Sequence, residues 1–252
     1  MRKIYAAFLM LVAITTNVPA KEALTLGSGD SLPFAGVGAD GAPIGVLGDT
    51  SGKLLQDMGF DARAKKLPFA RLYNSIHNGE VDVAIGVLRT DERASMALYS
   101  EPILTEYAIL AVKKGNAFTY NSIADLKNKK LGGRRGFAYP ALDASGIDIE
   151  RANDHDTNIK KVIGGRIDAA IISSIAYLSQ LDQTEMRDKV ELLPLAVGVV
   201  PLGIALADEK FSAEDVARFN EKLSGHKASD AYSAVLAKYG ISDYVKDWPL
   251  AQ

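Results

Sequence analysis

Short apolar runs rich in β-branched residues alternate along this chain with stretches whose apolar positions recur three and four apart. That is the pattern of strands interleaved with amphipathic helices. Residues 23–28 predict a first strand, and residues 29–41, rich in Gly, Asp and Pro, a loop. Residues 46–58 predict a helix closed by Gly59, residues 61–67 a second strand ending at Pro68, and residues 69–77 a helix ended by Asn78-Gly79. Val81, Val83 and Ile85 mark a third strand over 81–85, and residues 107–112 a strongly apolar one. After a polar break at 113–121 the alternation resumes. A short helix is expected over 122–128, with Ser122 and Asp125 as a capping box. Strands follow at 130–133, 147–151 and 167–172, with helices at 157–163 and 174–181. Residues 190–200 read as an extended apolar segment that crosses back, and 202–206 as a further strand. Helices over 212–223 and 228–239 end the pattern, which as a whole predicts an α/β fold.

Two passages share one grammar. Gly79 to Ile85 (Gly-Glu-Val-Asp-Val-Ala-Ile) and Gly165 to Ile171 (Gly-Arg-Ile-Asp-Ala-Ala-Ile) each follow a short helix and end at a polar or small loop. Two copies are too few for a solenoid and suit two similar α/β lobes. In the first copy, Gly86 to Arg93 lies beyond the carboxyl end of a strand, where open α/β sheets place their ligands. Thr90 is a good N-cap, with Asp91 and Glu92 in the first helical turn. Arg93 is a planar, permanently charged fork suited to a carboxylate, and a cation in a first turn gains nothing from the helix dipole. This segment is expected to hold the anionic end of a small ligand, through Arg93 and the Thr90 hydroxyl.

Composition narrows the setting. With 252 residues, 48% hydrophobic and 24% charged, the chain has room for one large domain or two lobes and does not read as disordered. Arg2 and Lys3, the apolar run 4–14 and the small residues of Val18-Pro19-Ala20 form a secretory signal over residues 1–20. Its removal leaves 27 basic against 31 acidic residues, a net charge of −4 that argues against nucleic acid as a partner. There is no cysteine, hence no disulfide, thiol chemistry or lipidated cysteine. A bacterial periplasm bounded by an outer membrane is the expected address. His77, His155 and His226 share no ligand spacing, and no P-loop, Gly-x-Ser-x-Gly or dinucleotide fingerprint is present. Neither metal nor cofactor is expected.

An ordered series of short motifs spans the mature chain. Leu-Pro-Phe-Ala-Arg (67–71), Gly-Glu-Val-Asp (79–82), Thr-Asp-Glu-Arg (90–93) and Tyr-Ser-Glu-Pro (99–102) come first. Gly-Gly-Arg-Arg-Gly (132–136), Gly-Arg-Ile-Asp-Ala (165–169) and Pro-Leu-Gly-Ile-Ala-Leu (201–206) follow. This series resembles the family 3 extracellular solute-binding proteins, the polar amino acid receptors of ABC importers. The resemblance implies a two-lobed type II periplasmic binding protein with two crossing segments and a ligand cleft between the lobes. One lobe would hold residues 21–112 and return at 198–252; the other would hold 113–197.

The resemblance also implies a site. Arg93 matches the arginine that pairs a ligand carboxylate, Gly86 and Leu88 would offer main-chain groups, and Asp30, Ser31 and Phe34 would sit in the first cleft loop. Ser31 stands where an aromatic often covers the ligand, a role left to Phe34 or Phe69, and Arg71 would supply a second cation. Across the cleft, Phe137 with Ala138 replaces the usual hydroxyl clasp, and Tyr139 would extend an aromatic wall; Arg134 and Arg135 are expected to be solvated. Ser173 stands where amino acid receptors place the aspartate that holds the ligand ammonium, while Asp168 belongs to the strand motif. A buried ammonium without a partner would cost several kcal/mol, so a standard L-amino acid is less expected than the family name suggests, and an organic acid, a modified amino acid or a small peptide-like anion enters as a ligand. Compensation by Asp30 or Asp143 stays open. The expected function is capture of a small carboxylate-bearing ligand, by a monomer, for an ABC permease or a membrane sensor. The alternative is an enzyme resembling the cyclohexadienyl dehydratases, which needs a positioned acid in the cleft; neither Ser173 nor the 137–138 loop offers one.

Overall fold

A computed structural model describes residues 21–29 and 31–252; the signal segment 1–20 and the candidate Asp30 lie outside the described residues. The first half runs β1 (Glu22–Ser28), a small hairpin of β2 (Gly36–Val37) and β3 (Pro43–Ile44), α1 (Val46–Asp57) and β4 (Phe60–Lys66). It continues through α2 (Asn74–His77), β5 (Val83–Leu88), α3 (Asp91–Ala94), β6 (Leu98–Tyr99) and β7 (Leu104–Lys113). The second half runs β8 (Leu131–Arg134), α4 (Pro140–Ala144), β9 (Ile149–Ala152), α5 (His155–Ile163), β10 (Ala169–Ser173) and α6 (Ala176–Leu181). β11 (Val190–Leu206), α7 (Ala213–Lys227) and α8 (Asp230–Lys238) complete it.

The strand order β4-β1-β5-β11-β7-β10-β8-β9 shows how two lobes share one sheet. β1, β4 and β5 are mutually parallel, as are β8, β9 and β10. Between these groups lie the long antiparallel strands β7 and β11. The Leu202–Leu206 end of β11 pairs with β5, whereas the Ala108–Val112 end of β7 pairs with β10. These two strands are the crossing segments. Their pairing slips at Leu192/Ala196 and again at Ala196/Gly198, irregularities that twist and bend a ladder locally. Apolar side chains form one core around Leu26, Leu47, Leu55 and Phe219, a smaller one around Leu72, Val81 and Ala84, and two on the opposite faces of the second group, around Leu110 and Leu126 and around Ile109 and Ile159.

The repeat has a common physical basis. Gly79 and Gly165 both take positive φ, +65° and +70°, the left-handed turn that ends each short helix. Asp82 accepts from the Thr25 amide at 2.7 Å, and Asp168 from the Lys130 amide at 2.7 Å. Each aspartate thus fastens the edge of a neighbouring parallel strand.

Several elements depart from expectation. The helix expected over 69–77 is a single tight turn at Phe69–Arg71 followed by α2; Pro68 and a run of Phe, Tyr, Asn and Ser are poor material for a continuous helix. The strand expected at 81–85 runs on to Leu88, with Gly86 bulged opposite the register shift at Gly203/Ile204. The segments expected at 190–200 and 202–206 are one strand. The expected capping at Ser122 is present, its amide donating to Asp125 at 2.9 Å. The last residues leave the first core: the Ala196 amide donates to Pro249 O at 2.7 Å, and the Gln252 amide to Asn121 O at 2.9 Å.

Candidate ligand cleft

Where the lobes face each other lies a narrow cavity lined from both sides. β5 and the turn after it deliver Gly86, Leu88 and Arg93 to it, and the first loop delivers Ser31 and Phe34. Phe69 comes from the turn after β4, Phe137 from the loop after β8, and Ser173 from the end of β10. Eight of the twelve candidates therefore meet in one space. Asp30 lies outside the described residues, and three others do not line the cavity. Thr90 acts as the N-cap of α3, its hydroxyl accepting from the Arg93 amide at 3.2 Å. Arg71 is exposed on its turn. Tyr139 is buried beside the cleft, its hydroxyl accepting from the Arg134 amide at 3.0 Å, and lines a smaller adjoining pocket.

Arg93 is held in place by contacts within the protein. Its guanidinium donates to Leu88 O at 3.1 Å and across the cleft to Gly136 O at 3.4 Å, and lies 4.6 Å over the Tyr73 ring. No carboxylate pairs with it among the described residues. The lips of the cleft touch elsewhere too. The Phe69 and Phe137 rings are 4.7 Å apart, and the Gln180 amide donates to Leu32 O.

Arg134, His155 and a third residue, none of them nominated by the sequence, also line the cavity. Arg134, expected in solvent, lies in the cleft with its guanidinium 4.8 Å from the Phe137 ring and no ion-pair partner among the described residues. Burial lowers its pKa from the ordinary arginine value. His155 is buried between Phe137 and Tyr177, with ring centroids at 5.7 Å and 4.7 Å. Burial, reinforced by the Arg134 charge, pushes its pKa down to about 3, so the ring is neutral at ordinary pH. Its Nδ1 has no hydrogen-bond partner among the described residues.

The third is Glu106, only 4% exposed, in β7. Ser173 donates its hydroxyl proton to Glu106 Oε2, because the same hydroxyl already accepts from the Ala176 amide at 2.8 Å. Burial raises the Glu106 pKa to about 7, against the opposing pull of the Ser173 hydrogen bond and of the Ala176 and Ile175 amides. The expectation that the cleft lacks an acid is therefore corrected. Glu106 was findable: Leu104, Glu106, Ala108, Leu110 and Val112 share one face of the strand, and a lone acid in a buried phase calls for a partner. Asp143, the proposed compensator, is engaged elsewhere, with Arg151 at 2.7 Å.

The family model of the bacterial extracellular solute-binding proteins, family 3, matches residues 24–242. The chain is 26% identical to the L-cystine-binding protein TcyJ of Escherichia coli over 218 residues, 85% of this chain and 80% of that protein. It is 23% identical to an L-arginine-binding protein of Pseudomonas aeruginosa over 216 residues, 82% of this chain and 83% of that one. Its fold matches that of a histidine kinase sensor domain with similarity to periplasmic binding proteins, with a TM-score of 0.71, 18% identity, and coverage of 87% of this chain and 96% of that one. The ordered motifs, the crossing strands and the family match agree: this chain belongs to the bacterial extracellular solute-binding proteins of family 3.

Proposed function

We propose that this protein captures a small carboxylate-bearing molecule, amino-acid-like or an organic acid, in the periplasm, and presents it to a membrane partner without altering it chemically. The observation that carries this reading is Arg93, oriented by two backbone carbonyls and lining the cavity without a carboxylate partner among the described residues. A permanently charged fork in a partly desolvated cleft favours a bidentate anion. The apolar remainder of the ligand would lie against Phe69, Phe137 and Leu88. The names of relatives support an amino-acid-like ligand, since cystine and arginine both carry α-carboxylates. Two destinations fit: an ABC permease, as for amino acid receptors, or a sensor, as in the kinase domain of like fold. The receptor would work as a monomer.

The test is a thermal-shift screen of amino acids, organic acids and short peptides with wild type and Arg93→Ala, since a ligand that binds only the folded state raises its apparent stability. Hits should carry a carboxylate. Arg93→Ala should weaken them by about 2–5 kcal/mol, the usual effect of removing one partner of a desolvated charge pair. Full affinity in the variant would remove Arg93 from the site.

A further inference from the structure

Of the buried polar side-chain atoms without a hydrogen-bond partner among the described residues, the one belonging to a residue of the cleft is His155 Nδ1. The Ile171 main chain engages the ring and favours its proton. A neutral imidazole has one donor nitrogen and one acceptor, so with the donor turned to Ile171 the other nitrogen is a bare acceptor. An acceptor at this depth is normally satisfied. The neighbours have no proton to give it. Tyr177 donates its hydroxyl to Asp156 at 2.5 Å, and Ser173 gives its proton to Glu106. Arg134 lies against the Phe137 ring at 4.8 Å, and the Asp154 carboxylate accepts from the Thr157 amide at 2.7 Å.

The place of the ring shows where a donor would come from. His155 lines both the main cavity and the small adjoining pocket. Phe69, Phe137, His155 and Tyr177 form a row of rings with successive centroids 4.7, 5.7 and 4.7 Å apart. Arg93 reaches this row at Gly136, the residue before Phe137. A molecule with its carboxylate on Arg93 and its body along Phe137 therefore points its far end at His155.

Resting on the carboxylate reading above, we propose that His155 determines specificity, its bare ring nitrogen accepting a hydrogen bond from an O–H or N–H at the far end of the ligand. The class of ligand this selects is a carboxylate with a flat apolar body and a donor at its tip, as in a phenol or an indole. An analogue of the same shape without the donor leaves the acceptor buried and unpaired, and a site built around a polar group rejects analogues in this way.

The experiment is calorimetry with two matched series, each keeping its carboxylate. One is 3-(4-hydroxyphenyl)propanoate with its 4-methoxy and unsubstituted counterparts; the other is L-tryptophan with 1-methyl-L-tryptophan. Wild type should bind the donor-bearing member of at least one series roughly fivefold or more tighter than its donor-free counterparts. His155→Phe keeps a ring but no acceptor, and should lose that preference while still binding the unsubstituted acid. His155→Gln, which keeps an acceptor oxygen, should retain part of it. A merely structural role would shift every member alike. If neither variant folds, the wild-type series decide alone. Donor-free members that bind wild type as well as donor-bearing ones, or an unchanged preference in His155→Phe, overturn the proposal and leave the Arg93 reading standing. Arg93→Ala should weaken every member and keep the preference; full affinity with the preference intact overturns the carboxylate reading and leaves His155 in place. Silence in both series overturns the proposal.

Discussion

Replacing Gly136 by alanine should separate folding from ligand capture. Gly136 has φ of +81°, and a Cβ added there would sit 2.9 Å from Ala70 Cα and 3.1 Å from Ala70 Cβ, across the mouth of the cleft. Two costs follow. The left-handed backbone strain acts wherever the loop is folded and amounts to about 1–2 kcal/mol. For a chain of this size that lowers Tm by about 2–8 °C. The collision with Ala70 acts only when the two lips meet, and forcing a methyl into such a contact costs about 1–3 kcal/mol, or roughly fivefold to 150-fold in affinity. Gly146 separates the two effects: its φ is +70°, and nothing lies within 4 Å of its added Cβ. Gly146→Ala should lose a similar increment of Tm and keep its affinity. Calorimetry of both variants against the amino acid giving the largest wild-type thermal shift provides the comparison. Equal Tm losses with no loss of affinity in Gly136→Ala would refute a role for this contact in holding ligand.

Other outcomes follow from the same geometry. Arg93→Lys keeps the charge but not the fork, and should weaken binding by roughly tenfold or more, because a point charge cannot reproduce two parallel bonds; wild-type affinity would show that the anion is held by charge alone. Phe219→Ala removes a fully buried ring from the first core and should cost about 3–5 kcal/mol in urea unfolding, with no change in ligand selectivity. Proton linkage gives a signed test. His155 has a folded pKa of about 3 against 6.5, so the unfolded chain holds the extra proton between those values and stability rises with pH there. Glu106 has a folded pKa of about 7 against 4.5, so the folded chain holds the extra proton and stability falls with pH across that window. The two oppose each other from pH 4.5 to 6.5, and Glu106→Gln should expose a rise of up to about 1.4 kcal/mol per pH unit in unfolding free energy; a curve parallel to wild type would refute the pairing. Incubation with prephenate should yield no aromatic product; turnover would overturn the receptor reading.

The fold was legible where local chemistry agreed with the final packing. The βα alternation, the Ser122–Asp125 cap and the paired Gly-x-aliphatic-Asp turns rest on neighbours within a few residues, and the structure contains each of them. The tight turn at Phe69–Arg71 and the hairpin of β2 and β3 were not legible, because apolar spacing at 69–77 mimics a helix and Gly-rich loops carry no periodic signal. Arg93 was legible because it follows its strand directly. Arg134 was not: a pair of adjacent arginines reads as solvated, and its place in the cleft depends on Phe137 and Phe69 forming a surface for its guanidinium.

Ser173 meets Glu106 for a geometric reason. In the antiparallel pairing of β10 with β7, Ser173 stands opposite Ala108, and Glu106 is its diagonal neighbour two residues away. Diagonal partners in such a ladder are within reach of long side chains, so a glutamate on the next strand can deliver a carboxylate to the place that a shorter acid at residue 173 would occupy. Glu106 pairs with Val200 of β11, close to the irregularities at Ala196 and Gly198, so this buried acid sits on the strands that join the lobes. Arg93, by contrast, meets Gly136 where the two lips of the cleft come together, so the two charged groups of the cavity are carried by different parts of the fold.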